Sequence, residues 1–291
     1  MKKVASHAGI LFMRLISPLP LPWLRAFGWV MGQLLYVLAA PRRRVASINL
    51  RLCLPQQSER ERRALVRRNF VCFAQTFLDR SWLWHGKPEV TRRRLRLTGD
   101  LAQLEGNAPT LLFAPHFLGM DAGAIALSQQ LPRQGSTIVT PQRDPIVDDW
   151  ISRGRRRFGN IRLFTRFDGI KTVVASLRAG EPLYLLPDMN FGPQESIFVP
   201  FYGVQAATVP SLSRFARLGR AIVVPVITRL TAQGYETRIL PAWTDFPSDD
   251  AVADTALMNR RLEGYIDAMP EQYYWVHKRF KTRPPGEPSV Y

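Results

Sequence analysis

The residues Thr110-Leu111-Leu112-Phe113-Ala114-Pro115-His116-Phe117-Leu118-Gly119-Met120-Asp121 decide how the rest of the chain is read. An uncharged run that ends at a proline and passes into a Gly-containing helical segment is a strand giving way to a helix. The same texture repeats on either side. Short apolar runs at Arg94–Leu97, Ser136–Thr140, Ile161–Thr165, Leu183–Leu186, Ile222–Ile227 and Thr237–Leu240 read as strands. Helical patterns near 119–131, 145–158, 168–179 and 209–219 alternate with them. A βαβα order predicts an α/β fold with a mixed, mostly parallel sheet and helices on both faces.

Sheets of this kind carry their chemistry at the carboxyl ends of the strands, which is where His116 falls. Asp121 lies five positions further on. An imidazole meeting a carboxylate there has its tautomer fixed and its charged form stabilised, leaving one ring nitrogen to take a proton from a hydroxyl. This is the base half of a triad without a nucleophile of its own. The chain has no G-x-S-x-G elbow, Walker loop, G-x-G-x-x-G turn or H-E-x-x-H pair. Neither a metal nor a cofactor is expected.

The 291 residues are 46% hydrophobic and 22% charged, which excludes wholesale disorder, collagen and a multi-span membrane protein. Forty basic residues against 23 acidic ones give a net charge of +17, and only six of the forty are lysine. Such an excess of arginine points to a polyanionic partner. The first 110 residues hold 19 Lys/Arg and 6 Asp/Glu, so most of the field lies there. Nucleic acid is not the expected partner, because no binding motif appears and the basic residues adjoin an anchor-like apolar segment. Cys53 and Cys72 lack the spacing of a zinc site or a disulfide framework, which fits a reducing compartment.

That apolar segment runs from Leu15 to Leu24 and, after Arg25, from Ala26 to Ala40, before Pro41 and the triplet Arg42, Arg43, Arg44. Fifteen uncharged residues fall short of a full bilayer span. The interruptions at Arg14 and Arg25 do not suit a cleaved signal peptide. A helix entering the bilayer partly or at a tilt, with the arginines among anionic headgroups on the cytoplasmic side, is expected over residues 1–45. Residues 46–291 then form the main domain. Ser58 and Glu61 form a capping box at the start of a helix whose Val66, Phe70, Phe73 and Phe77 recur at packing intervals.

These residues resemble the bacterial late acyltransferases of lipid A biosynthesis, part of the wider glycerolipid acyltransferase group with its H-x4-D/E motif. The resemblance runs from about Arg42 to Tyr291. His116 and Asp121 match the motif, Gly154-Arg155 matches a functional Gly-Arg pair, and Pro187-Asp188 matches a Pro-Asp pair. Ser196-Ile-Phe-Val-Pro-Phe-Tyr-Gly and Pro270-Glu-Gln-Tyr-Tyr-Trp-Val-His-Lys-Arg-Phe-Lys-Thr-Arg-Pro284 are similar to its signatures. Met189-Asn190 departs from the His or Gln usual after Pro-Asp, and Asp121 stands where Glu is common.

The resemblance implies transfer of a fatty acyl chain from an acyl-carrier-protein thioester to a hydroxyl of a hydroxyacyl chain on a lipid A precursor, at the cytoplasmic face of the inner membrane. An arginine-rich chain suits an acidic carrier protein, a phosphorylated acceptor and anionic lipids. His116 is the expected base, assisted by Asp121. Arg155 is expected either at the oxyanion, where strand-end amides are the other candidates, or at an acceptor phosphate. Asp188 is expected to orient Arg155 or the acceptor, or to cap a strand end. Two other readings stand beside this one: an acyltransferase for a glycerolipid or another glycolipid, and a non-catalytic membrane-surface protein.

Overall fold

The computed structural model describes residues 2–159, 161–165 and 167–291. Three helices open the chain: α1 (Lys2–Ile16), α2 (Leu21–Leu38) and α3 (Ala40–Cys53). Next comes the long α4 (Glu59–His85), whose start is the expected capping box. The Ser58 hydroxyl accepts from the Glu61 amide, and the Glu61 carboxylate accepts from the Ser58 amide. Then follow α5 (Pro88–Arg94), β1 (Leu95–Gly99), β2 (Thr110–Phe113), α6 (Met120–Gln130), β3 (Gly135–Ile138), α7 (Pro145–Arg155), β4 (Ile161–Phe164), α8 (Ile170–Arg178) and β5 (Leu183–Leu185). The last third holds β6 (Ile197–Phe201), β7 (Val204–Thr208), α9 (Ser211–Gly219), β8 (Ile222–Thr231), β9 (Gly234–Ile239) and α10 (Ala251–Asp267).

Seven strands form one sheet in the order β1-β9-β8-β2-β5-β3-β4, parallel except for the β8–β9 pair. The expected mixed, mostly parallel sheet is present. Strand β2 reads as an unbroken apolar run because both of its faces are covered. Leu111 and Phe113 pack into a core with α3, α8, α9 and α10, while Leu112 and Ala114 pack on the α6 side. Helices therefore lie on both faces.

Helix α5, the hairpin β6–β7 and helix α10 lie outside the sequence reading. The hairpin β6–β7 turns at Tyr202 (φ 50) and Gly203 (φ 75), the paired left-handed conformations of a two-residue type I′ turn. Tyr202 is held there by its amide donating to Glu263 and its hydroxyl donating to Asp267, both on α10. Helix α10 begins at Asp250, whose side chain caps the Val252 and Ala253 amides.

The N-terminal apolar segment is two helices and a turn rather than one. Helix α2 lies on α4 through Gly28 and Gly32. A Cβ at Gly32 would sit 2.5 Å from the Val71 Cα, so glycine is what lets the backbones meet. Arg25 pins the same contact by reaching Asp79, which is fully buried and also accepts from the Tyr235 hydroxyl and the Trp82 indole. Trp23, Trp29, Val30, Leu34, Val37 and Leu38 remain exposed on the other side of α2. Among the described residues no single helix is long and apolar enough to cross a membrane. The bent pair α2 and α3 has the composition, but α3 buries Ala46 and Leu50 in the main core. The boundary expected near residue 45 falls inside α3.

Candidate active site

Strands β2 and β5 are parallel neighbours, with Leu111 opposite Leu183 and Phe113 opposite Leu185. The Ala114 amide extends the ladder to the Leu185 carbonyl at 2.9 Å. His116 and Asp188 therefore leave adjacent strands at the same end. His116 Nδ1 lies 2.8 Å from Asp188 Oδ1, and the His116 amide donates to the same carboxylate at 3.1 and 3.2 Å. The Tyr273 hydroxyl donates to Asp188 Oδ2 at 2.9 Å. Asp188 has no exposed surface. Burial pushes its pKa up, but the adjacent His116, these hydrogen bonds and the Tyr273 hydroxyl outweigh it and hold the carboxyl below its ordinary value.

The sequence expectation gave His116 to Asp121; the structure gives it Asp188, which also caps the end of β2 through the His116 amide, while the carboxylate that orients Arg155 is Asp121. The reason is charge. Asp121 begins α6, and its carboxylate is held by two guanidiniums. Arg80 Nε and Nη2 donate to Oδ2 at 3.0 and 2.8 Å, and Arg155 Nε and Nη2 reach Oδ1 at 3.1 Å. Against the penalty of burial, Arg155 and Arg80 pull the Asp121 pKa down to about 2. Gly154 places Arg155: a Cβ there would lie 2.3 Å from the Trp84 ring, so only glycine lets α7 sit this close to α4. Among the described residues no hydrogen bond joins His116 to Asp121, Arg80 or Arg155.

Residues after α10 close the site. The Tyr274 amide donates to the His116 carbonyl at 3.1 Å and the Leu118 amide to the Gln272 carbonyl at 2.8 Å, a short antiparallel pairing around Phe117 and Tyr273. His277 accepts from the Asn190 amide through Nε2 at 3.0 Å. Burial, with Arg279 and His116 nearby, takes its pKa down to about 4, so it is a packed neutral acceptor. Strand-end amides are poor oxyanion candidates here, because those of residues 114, 116, 117, 118 and 190 all donate within the protein. No cluster of metal-ligating residues occurs among the described residues.

Arg80 and Tyr273 were not singled out in the sequence. Arg80 could have been found by its offset, since it lies seven residues after Phe73 and three after Phe77, on the face of α4 that the aromatic stripe marks. That face runs past the site: Phe73 stacks on Tyr274, Arg80 holds Asp121, and Trp84 backs Gly154. Phe77, between them, is 38% exposed rather than packed.

A model of the bacterial lipid A biosynthesis acyltransferases matches residues 1–282. The chain belongs to that family. It is 34% identical to the lipid A biosynthesis lauroyltransferase of Escherichia coli, over 97% of this chain and 93% of that one. The myristoyltransferase of the same organism is 34% identical over 86% of this chain and 78% of its own. The palmitoleoyltransferase is 30% identical over 94% and 90%. Among solved structures, the 1-acyl-sn-glycerophosphate acyltransferase of Thermotoga maritima aligns at 13% identity and a TM-score of 0.40, over 86% of this chain and 97% of that one. Family membership extends to the N-terminal helices, ahead of Arg42, where the resemblance in sequence began.

Proposed function

We propose that this chain acylates a lipid A precursor, moving a fatty acyl group from an acyl-carrier-protein thioester to the hydroxyl of a hydroxyacyl chain. The observation that carries the reading is the buried Asp188 bonded to His116 at paired strand ends, in a chain of this family. Asp188 takes the Nδ1 proton as a hydrogen bond, which leaves Nε2 to accept the proton of the acceptor hydroxyl as its oxygen attacks the thioester carbonyl. The tetrahedral intermediate expels the carrier thiolate, which recovers the proton from the imidazolium. General-base help of this kind is worth roughly 10²–10⁴ in rate. Asp121 has the supporting task of holding Arg155 and Arg80 together as a positive centre.

The exposed side of α2, continued on α1 by Leu11, Phe12 and Leu15, seats the protein on the membrane surface, with the +17 charge favouring an anionic leaflet. The cytoplasmic face of the inner membrane supplies both substrates. Replacing Trp29 and Leu34 by Glu is expected to reduce pelleting with anionic vesicles while the fold persists. Unchanged pelleting would move the membrane contact elsewhere. The three relatives differ by name in the chain they transfer, so its length is read from the product.

Mass spectrometry of lipid A tests the reaction. A strain lacking this gene is complemented with the wild-type sequence or with His116→Ala at matched protein level. Wild type is expected to add one secondary acyl chain and the variant none. Identical lipid A in all strains would refute the substrate, and activity in the variant would refute the base.

A further inference from the structure

We propose that Asn69 is a positioning residue for the His116–Asp188 pair: from α4 it fixes the peptide plane that aims the Tyr273 hydroxyl at Asp188. This rests on the acyl-transfer reading above and deepens it.

One edge of residues 272–274 pairs with residues 116–118. Carbonyls of the same stretch that point elsewhere are taken by two asparagine side chains. Asn69 Nδ2 donates to the Glu271 and Tyr273 carbonyls at 2.8 and 2.7 Å. Asn49 Nδ2, from α3, donates to those of Trp275 and His277, both at 2.7 Å. Both asparagines are almost wholly buried. A carbonyl can only accept, so each side-chain amide must turn its nitrogen toward the chain it holds, and both of its hydrogens are used. Asparagine is a weak helix former and costly to bury unless paired, so a role beyond α4 itself accounts for its presence there.

Asn69 differs from Asn49 in what its carbonyls carry. The C=O and N–H of a trans peptide point to opposite sides. The plane joining Tyr273 to Tyr274 is therefore gripped twice, its carbonyl by Asn69 and its N–H by the His116 carbonyl at 3.1 Å. The Trp275 amide also donates to the Tyr273 carbonyl at 2.8 Å, but it moves with the same turn and supplies no outside reference. Phe117, Phe201 and Trp275 pack around the Tyr273 ring at 5.8, 6.3 and 5.0 Å between centroids. Such packing confines the ring yet tolerates small slides, whereas the 2.9 Å bond to Asp188 depends on both distance and angle. Without Asn69 the plane hangs from His116 alone, and the phenol loses its fixed point independent of the residue it serves. The line of action runs from Asn69 through Tyr273 and Asp188 to the imidazole.

The test is a double-mutant cycle in steady-state kinetics of the full chain in detergent, with Asn69→Ser, Tyr273→Phe and the double variant. An acyl carrier protein thioester is the donor and a lipid A precursor the acceptor. Serine is too short to reach both carbonyls. Asn69→Ser is expected to lower kcat about three- to tenfold with both KM values unchanged. Added to Tyr273→Phe, which has no hydroxyl left to aim, it is expected to cost less than about a further 1.5-fold. Losses that multiply, an unchanged kcat in Asn69→Ser, or KM changes as large as those in kcat would each overturn the inference. Asn69→Leu, close in volume and without a donor, repeats the cycle if the serine variant does not fold. Failure of both to fold assigns the residue to the fold alone and overturns the inference as well. A wild type that transfers no acyl chain to the acceptor refutes the acyl-transfer reading instead, and the inference falls with it.

Discussion

Asp188→Asn and Asp121→Asn, made side by side, separate the two carboxylates by role. The asparagine at 188 keeps the shape but offers one oxygen and one amide where three donors converge: the His116 amide, His116 Nδ1 and the Tyr273 hydroxyl. The oxygen can satisfy two of them. The amide nitrogen then faces an N–H or turns the imidazole to its other tautomer, which puts the proton on Nε2 and removes the base. The whole of the general-base contribution is at stake, roughly 10²–10⁴ in kcat, or about 3–5 kcal/mol of barrier. Asn at 121 touches no base. It removes the charge between Arg80 and Arg155, so the expected losses are in substrate KM, less than tenfold in kcat, and about 2 kcal/mol of stability from the depressed pKa. The assay is initial-rate transfer with both substrates varied, with circular dichroism melting to show that each variant folds. A large kcat loss in Asp121→Asn together with less than tenfold in Asp188→Asn would refute the assignment and restore the pairing suggested by sequence spacing.

Three further outcomes follow from single contacts. Tyr273→Phe keeps the ring packing and deletes one charge-assisted bond to Asp188, so kcat is expected to fall on the order of tenfold with both KM values unchanged, equivalent to about 1.5 kcal/mol; equal losses in KM would point to general disruption. Gly154→Ala places a methyl group against the Trp84 ring and displaces Arg155, so kcat/KM is expected to drop tenfold or more, and a fully active variant would remove Gly154 from the site. His277 titrates near pH 4 when folded and near 6.5 when unfolded, so the unfolded chain binds more protons in that interval and stability falls as pH drops through it, by about 3 kcal/mol. Denaturant melts of His277→Gln, whose side chain still accepts from the Asn190 amide, should show a flatter curve between pH 6.5 and 4, and parallel curves would exclude His277 as the cause.

The sheet was legible because β2, β5 and residues 223–226 of β8 are buried on both faces and so read as apolar runs, with Gly and Pro between them. The β6–β7 hairpin was not, because Pro200 breaks the strand pattern and its turn depends on Tyr202 held in a left-handed conformation by α10. Spacing put His116 at a strand end, but the identity of its partner is a fact of strand order. Asp188 is 72 residues away and becomes adjacent only because β5 lies beside β2. Local spacing favoured Asp121 and could not show that arginines from α4 and α7 had already claimed it. Nothing in the composition of the apolar N-terminal stretch told its two sides apart, because Gly28 and Gly32 are what divert one of them onto α4.

The pairing of residues 272–274 with 116–118 also sets an order of events in the life of the chain. Translation delivers α1 and α2 before the strand carrying His116, then Asp188, and Tyr273 after all of these. Until that last stretch folds back, the histidine loop has no backbone partner and Asp188 lacks its phenolic donor. Vectorial synthesis thus completes the surroundings of His116 well after helices α1 and α2 have been made.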